Sequence, residues 1–331
     1  MDHPREVHQV RKSRGHLAGV CAWLLGAMSL LGLCPLSARG QEMQPEIPPM
    51  SEPASVMPTE MEDPIEAPDV VPKKRRFLSK LGPRPVTPEQ REEAERLRQR
   101  AAKYGTDPTA IVGRMQLSST YYNLPLGIQG VDHTVRVDVP FRRDFLLRAD
   151  MPFWKWSDPN RQSSTQGLSD LAVTAAWRAY NTPEYALLLG VLSTMPTASE
   201  TGLGLGKYTV GPTIATSWFV PQWESFLIGL VTQQFSVGGD PARRAFNVSR
   251  ATAQINTFWA ERWWTIAQSV WQVDWERSAK SSMTLELEVG RNVVGRLGVF
   301  VRPGVGVFGR DVPGAYDWNV EAGVRYMFPS F

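Results

Sequence analysis

Residues 318–331 read WNVEAGVRYMFPSF. Successive side chains of an extended chain point to opposite faces, so this stretch sorts into two sets. Trp318, Val320, Ala322, Val324, Tyr326 and Phe328 share one face, while Asn319, Glu321 and Arg325 occupy the other. One side is oily with aromatic ends, the other polar and charged. A half-buried strand of a soluble sandwich carries the same alternation, so this stretch alone does not decide the fold.

From Gly113 onward the same two-residue period returns, and no amphipathic helix intervenes. Val131, Val135, Val137 and Val139 alternate with Asp132, Arg136 and Asp138. Phe145, Leu147, Ala149 and Met151 alternate with Arg148 and Asp150. Leu171, Val173 and Trp177 oppose Asp170 and Arg178, and Val273 opposes Asp274. Leu285, Leu287 and Val289 oppose Glu286 and Glu288. Val299 and Val301 oppose Arg302, with Arg296 assigned to the same polar side. One segment, FLIGLVTQQFSV (226–237), has apolar residues on both parities and resists assignment. Lysine normally crowds the wet face of a soluble sheet. After the helix described below, only Lys155, Lys207 and Lys280 occur in the chain. Arg, Asp, Glu, Gln and Gly fill the polar face instead, a composition suited to an enclosed, hydrogen-bonded lumen. Trp and Tyr near strand ends match interfacial girdles.

The connections carry a second sign. GRNV, AERW, VPQWE, YNTP and PFRRD are tight, whereas the alternate joins are mostly longer and include MPTASETGLGLG and PFWKWSDPNRQSSTQG. Such asymmetry, with tight turns on one side and long loops on the other, belongs to bacterial transmembrane barrels. The expected fold is all-β: a transmembrane antiparallel barrel of about twelve strands over residues 112–331. Closure leaves no unpaired edge in hydrocarbon.

The preceding residues divide into three. Arg5, Arg11, Lys12 and Arg14 precede the apolar run LAGVCAWLLGAMSLLGLC, and Ala38 and Gly40 suit a cleavage site, so residues 1–40 read as a signal peptide. Residues 41–86 form a Pro- and Glu-rich linker, too poor in apolar surface to offset its ordering entropy. It holds the basic cluster Lys73, Lys74, Arg75 and Arg76, read as a solvated charge run. Residues 87–105, TPEQREEAERLRQRAAKYG, form one short helix with Thr87 as N-cap, Pro88 in the first turn and Gly105 as the stop. Its stripe of Ala94, Leu97, Ala101 and Tyr104 is thin, and the expectation is a solvated periplasmic helix, not a plug.

Composition excludes much chemistry. Both cysteines, Cys21 and Cys34, and three of four histidines lie in the leader, which leaves His133 alone. No disulfide, cysteine-held metal, cofactor or catalytic residue is expected in the mature chain. A net charge of +3 gives no argument for nucleic acid. A barrel lipid hydrolase would need Ser or Thr beside a base, and the parity of His133 places it on the lipid side.

Four segments also look familiar: GLSDLAVTAAWR (167–178), MPTASETGLGLGKYTVGPTIATSW (195–218), GLVTQQFSVGGD (229–240) and VWQVDWE (270–276). In order and spacing they resemble the outer-membrane β-barrel family named for the meta-pathway of phenol degradation. The likeness spans roughly residues 113–331. It implies a barrel of about a dozen strands and movement of small solutes, aromatic compounds among them. It transfers no site residue.

The expected function is an outer-membrane channel with a narrow polar lumen lined by Asp132, Arg136, Asp138, Arg148, Asp150, Asp170, Arg178, Asp274, Glu286, Glu288, Arg296, Arg302, Glu321 and Arg325. Acids and bases roughly balance there, so no strong ion preference is expected. The Gly-rich loop TASETGLGLGKY is either an inward constriction or a mobile external loop. Expected partners are outer-membrane lipid, a small-molecule solute and the β-barrel assembly machinery, the last through Tyr326, Phe328 and Phe331. An alternative gives the barrel an anchoring role, with residues 41–105 held to the cell wall.

Overall fold

The computed structural model describes residues 87–158, 164–310 and 312–328. The expected leader, the linker and Phe331 lie outside them.

A helix, α1 (Pro88–Tyr104), comes first. Its N-terminus is a reciprocal capping box. Thr87 Oγ1 accepts from the Gln90 amide at 3.3 Å, and Gln90 Oε1 accepts from the Thr87 amide at 3.2 Å. It ends at Gly105 with φ +65°, a left-handed position open to glycine at little cost. A Cβ there would also lie 2.5 Å from the Met327 sulfur, so the flexible Met327 side chain would have to shift.

Among the described residues thirteen strands follow in a single sheet. They are β1 (Gly113–Asn123), β2 (Gln129–Arg142), β3 (Phe145–Asp158), β4 (Thr165–Gly167), β5 (Leu171–Asn181), β6 (Tyr185–Met195) and β7 (Lys207–Val220). The remainder are β8 (Ser225–Gly239), β9 (Asn247–Trp259), β10 (Trp263–Asp274), β11 (Lys280–Val294), β12 (Leu297–Phe308) and β13 (Trp318–Phe328). The short β4 pairs with β3 alone; the other twelve run antiparallel to their neighbours, and β1 pairs with both β2 and β13 to close the ring. This is a closed transmembrane barrel of twelve strands.

Tight turns at residues 143–144, 182–184, 221–224, 260–262 and 295–296 gather at one end, with longer connections at the other. The β11–β12 turn lies later than GRNV (290–293): those residues remain in β11, and the chain reverses at Gly295 and Arg296, where Gly295 takes φ +55°. Arg296 is consequently an exposed turn residue and does not line the lumen.

The outer surface carries Met115, Leu117, Leu147, Val191, Ile214, Leu287, Val301, Val305 and Tyr326, all exposed. Only hydrocarbon solvates such a band without penalty. Segment 226–237 now has a parity. Phe226, Ile228, Leu230 and Thr232 alternate inward, and Phe235 and Val237 are exposed outside. Its two-sided apolar character has a cause inside the barrel.

Candidate functional site: the plugged lumen

The lumen is not polar along its whole length. At the tight-turn end the inward residues Phe219, Phe226, Ile228, Phe258, Trp264, Ile266 and Phe300 form one buried cluster with Ala94, Leu97, Ala101 and Tyr104 of α1. The helix expected to be solvated is docked against the barrel interior by its full apolar stripe. The stripe is thin because two alanines let the helix approach closely, while the barrel supplies the large rings. Burying Leu97 alone contributes about 2 kcal/mol.

Polar contacts fix the pose. Arg98 donates to the Thr182 carbonyl at 2.8 Å, and Arg100 sits 3.4 Å from Glu224 with its guanidinium 4.7 Å from the Phe258 ring centre. Burial pulls the Arg98 pKa below its ordinary value, and Asp107 opposes that shift. The Tyr104 hydroxyl donates to the Glu261 carbonyl. Thr182, Glu224 and Glu261 all lie in tight turns, so α1 spans the turn end of the barrel.

Beyond Gly105 the chain enters the lumen. Asp107 Oδ1 accepts from the Thr109 amide at 2.9 Å, from the Thr109 hydroxyl at 2.7 Å and from the Ser217 hydroxyl at 2.6 Å. Ile111 packs with the inward Leu146, Ala176, Leu188 and Ala215. Residues 88–111 therefore close this end.

One expected lumen residue, Arg325, acts on this plug directly, with Arg114 beside it. Arg325 donates to the carbonyls of Tyr104 at 3.4 Å and Gly105 at 3.3 Å, and Arg114 donates to Gly105 at 3.2 Å. Two cations thus satisfy carbonyls that a helix C-terminus leaves unpaired, where the dipole favours positive charge. Arg325 also reaches Glu288, 3.3 Å away, and Glu288 takes bonds from Arg302 and from the Trp264 indole at 2.7 Å. Glu288 is fully buried, and Arg325 and Asp138 nearly so, so these three face inward without facing open water. Asp138 is shared by Arg114 at 2.6 Å and Arg148 at 2.8 Å, and Arg136 pairs with Asp150. Arg302 holds Glu321 at 3.0 Å.

Four others belong to the ends of the barrel. Arg178 pairs with Asp144 in the β2–β3 turn at 2.8 Å. Asp274 pairs with Arg277 at 3.1 Å beyond the end of β10. Asp132 meets Tyr122 at 3.1 Å and Lys155 at 3.9 Å. Asp170 accepts from the amides of Ala198 at 3.1 Å and Leu205 at 2.5 Å. That last contact folds the Gly-rich loop onto the segment before β5, and none of its residues lines the central cavity.

The inward loop is instead the β12–β13 connection. Val312 and Ala315 are buried, and the Tyr316 hydroxyl donates to Glu286 Oε1 at 2.5 Å. Between this loop and the plug lies a cavity of about 410 Å³, bounded by Gly105, Thr106 and Pro108 on one side and Gly314 and Tyr316 on the other. Arg136, Arg148, Glu286, Arg302 and Arg325 line it. Arg114, Arg250 and Gln268 also reach it and were overlooked, although their inward parity on β1, β9 and β10 was legible. His133 stacks against Phe153 and Trp154, with ring centres 6.0 and 5.0 Å away. Tyr326 is exposed on the outer wall, and the Phe328 ring covers Gly113, where an added Cβ would lie 2.1 Å from it.

No protein-family model matches the chain, and no curated protein sequence matches it. Among solved structures it is similar to an outer membrane channel from Pseudomonas putida F1, with 10% identity and a TM-score of 0.52 over 66% of this chain and 96% of that one. The NanC porin aligns at 9% identity and TM-score 0.47, over 65% and 98% of the two chains. The KdgM porin aligns at 11% and 0.46, over 65% and 99%. At such identities the likeness to the Pseudomonas putida protein is one of fold, and by fold this chain is an outer-membrane-type β-barrel.

Proposed function

We propose that this barrel is an outer-membrane channel for small solutes, with α1 and the tight turns on the periplasmic side, closed until the α1 plug shifts. The observation that carries the reading is the polar cavity of about 410 Å³ held between the plug and the inward β12–β13 loop. Its walls carry paired charges and amides, which a water-filled path requires and a solid peg does not. Twelve strands set the bore between side-chain-filled barrels and open porins, so one short helix suffices to shut it. The resemblance of four segments to the phenol meta-pathway family directs the choice of aromatic solutes as first permeants. Tyr326 and Phe328, at the end of the last strand, are read as the contact for the assembly machinery.

The test is planar-bilayer recording of the folded full chain beside a variant carrying Ala94→Glu and Leu97→Glu. Charges on the buried stripe push α1 away from the aromatic cluster. Discrete conductance steps are expected, larger and longer in the variant. Silence from both folded proteins overturns the channel reading.

A further inference from the structure

We propose that Arg250 is a binding site for the carboxylate of a small organic acid with an apolar body. The inference deepens the channel reading above and rests on it for its physiological meaning.

Arg250 differs from the other arginines that reach the cavity. Arg114, Arg136, Arg148, Arg302 and Arg325 each stand within ion-pair distance of Asp138, Asp150, Glu288 or Glu321. Among the described residues Arg250 has no carboxylate at that distance. Its side-chain partner is the amide of Gln272, whose Oε1 accepts from Nε at 3.2 Å and Nη2 at 2.9 Å. A guanidinium has five N–H donors, and two are used here, which leaves three. The side chain is exposed to the lumen, so these donors face the cavity.

Glu286 faces the same cavity and opposes any anion near it, but its two oxygens are already engaged. Oε1 accepts from the Tyr316 hydroxyl at 2.5 Å and Oε2 from Gln268 at 2.5 Å, and Gln268 is held in turn by Gln254 at 2.6 Å. The hydrogen-bond demand of the acid is met inside the wall; that of Arg250 is not. A cation in a confined site gains most from a ligand able to accept two parallel hydrogen bonds, which a carboxylate does.

The neighbouring strands define the rest of the ligand. Arg250 stands on β9, opposite Thr232 of β8 and Gln272 of β10. On those two flanking strands Leu230, Ile228, Val270 and Ile266 line the same cavity. A charged head at Arg250 therefore places an apolar body along an apolar wall. Gly314 of the inward loop lies above: a Cβ built on it would be 4.0 Å from Arg250 Nη2 and 3.8 Å from the Gln272 amide. The β12–β13 loop thus passes directly over the guanidinium.

The experiment measures equilibrium binding of benzoate, with benzyl alcohol as its neutral counterpart, to the full chain folded in detergent. Saturable benzoate binding is expected, at least about tenfold tighter than the alcohol, given what a charge-assisted pair adds. Arg250→Gln should abolish the preference. Should that variant fail to fold, Gln272→Glu decides instead, because it sets a carboxylate on Arg250 with no change of shape and must displace the ligand. Equal binding of acid and alcohol, or benzoate binding unchanged in Gln272→Glu, overturns the site. Bilayer recordings separate the two ideas. Benzoate binding that depends on Arg250 in a barrel that never conducts sinks the channel and keeps the site; a conducting barrel indifferent to benzoate sinks the site and keeps the channel.

Discussion

The Tyr104 ring lies over the Trp264 indole, with centres 5.6 Å apart and planes 23° from parallel. This contact joins the last turn of α1 to the inward face of β10, and with it the segment before the barrel to the lumen. Trp264 is itself fixed from beneath, because its indole nitrogen donates to Glu288 and its ring fills the space left by Gly290, where a Cβ would lie 2.1 Å away.

Tyr104→Ala removes the stacked ring and the hydroxyl bond to Glu261. Truncating a packed aromatic costs about 3 kcal/mol or more where the site cannot collapse. The helix should then leave its seat more often while the barrel stays closed. Trypsin cleavage at Arg98 and Arg100 is expected to accelerate several-fold, with the barrel fragment remaining resistant.

Glu288→Gln leaves Arg302 and Arg325 without their shared acid. Removing one partner of a buried pair costs roughly 3–5 kcal/mol, because the other charge stays behind. The midpoint of denaturant unfolding should fall in urea titrations of the folded protein. Met at the same position should be as damaging, since the penalty comes from Arg325, whose ion-pair partner is Glu288, while Arg302 keeps Glu321.

Tyr316→Phe cuts the bond to Glu286 and frees the β12–β13 loop from the wall. The loss should be about 1.5–3 kcal/mol for one hydrogen bond to a charged acceptor. A spin label on Ala315 should report faster motion in the variant than in the parent.

Labels placed on the wall test its polarity directly. At Leu287 and Val299 they should relax with oxygen dissolved in the bilayer. At Gln254 and Gln268 they should relax with a water-soluble nickel reagent instead. The reverse pattern would turn the barrel inside out.

Asn256 is buried opposite Phe226 and Ile266 of the neighbouring strands, and among the described residues both of its side-chain polar atoms lack a partner. An unsatisfied buried amide costs about 1–3 kcal/mol. Asn256→Leu should therefore hold the plug more firmly, slowing cleavage at Arg98 and lowering the open fraction in bilayers.

The alternation in residues 318–328 and in its counterparts was enough to identify most strands with their outer faces and the asymmetry of the turns, but not the parity of 226–237 or the place of the β11–β12 turn. These are properties of a few consecutive residues: a two-residue period sorts side chains without help from distant parts of the chain. The caps of α1 were legible for the same reason, since Thr87, Gln90 and Gly105 act on their own backbone. The seat of α1 was not legible. Phe226, Phe258, Trp264 and Phe300 come from four strands, and only barrel closure sets them around Leu97. The same holds for the charges. Sequence placed Arg325, Glu288 and Asp138 inward, but whether an inward charge meets water or a helix end depends on what fills the lumen. Arg250 stands apart from its fellow arginines for a reason local patterning cannot express: charge pairing is a matter of distance across strands, which the register of the closed sheet decides.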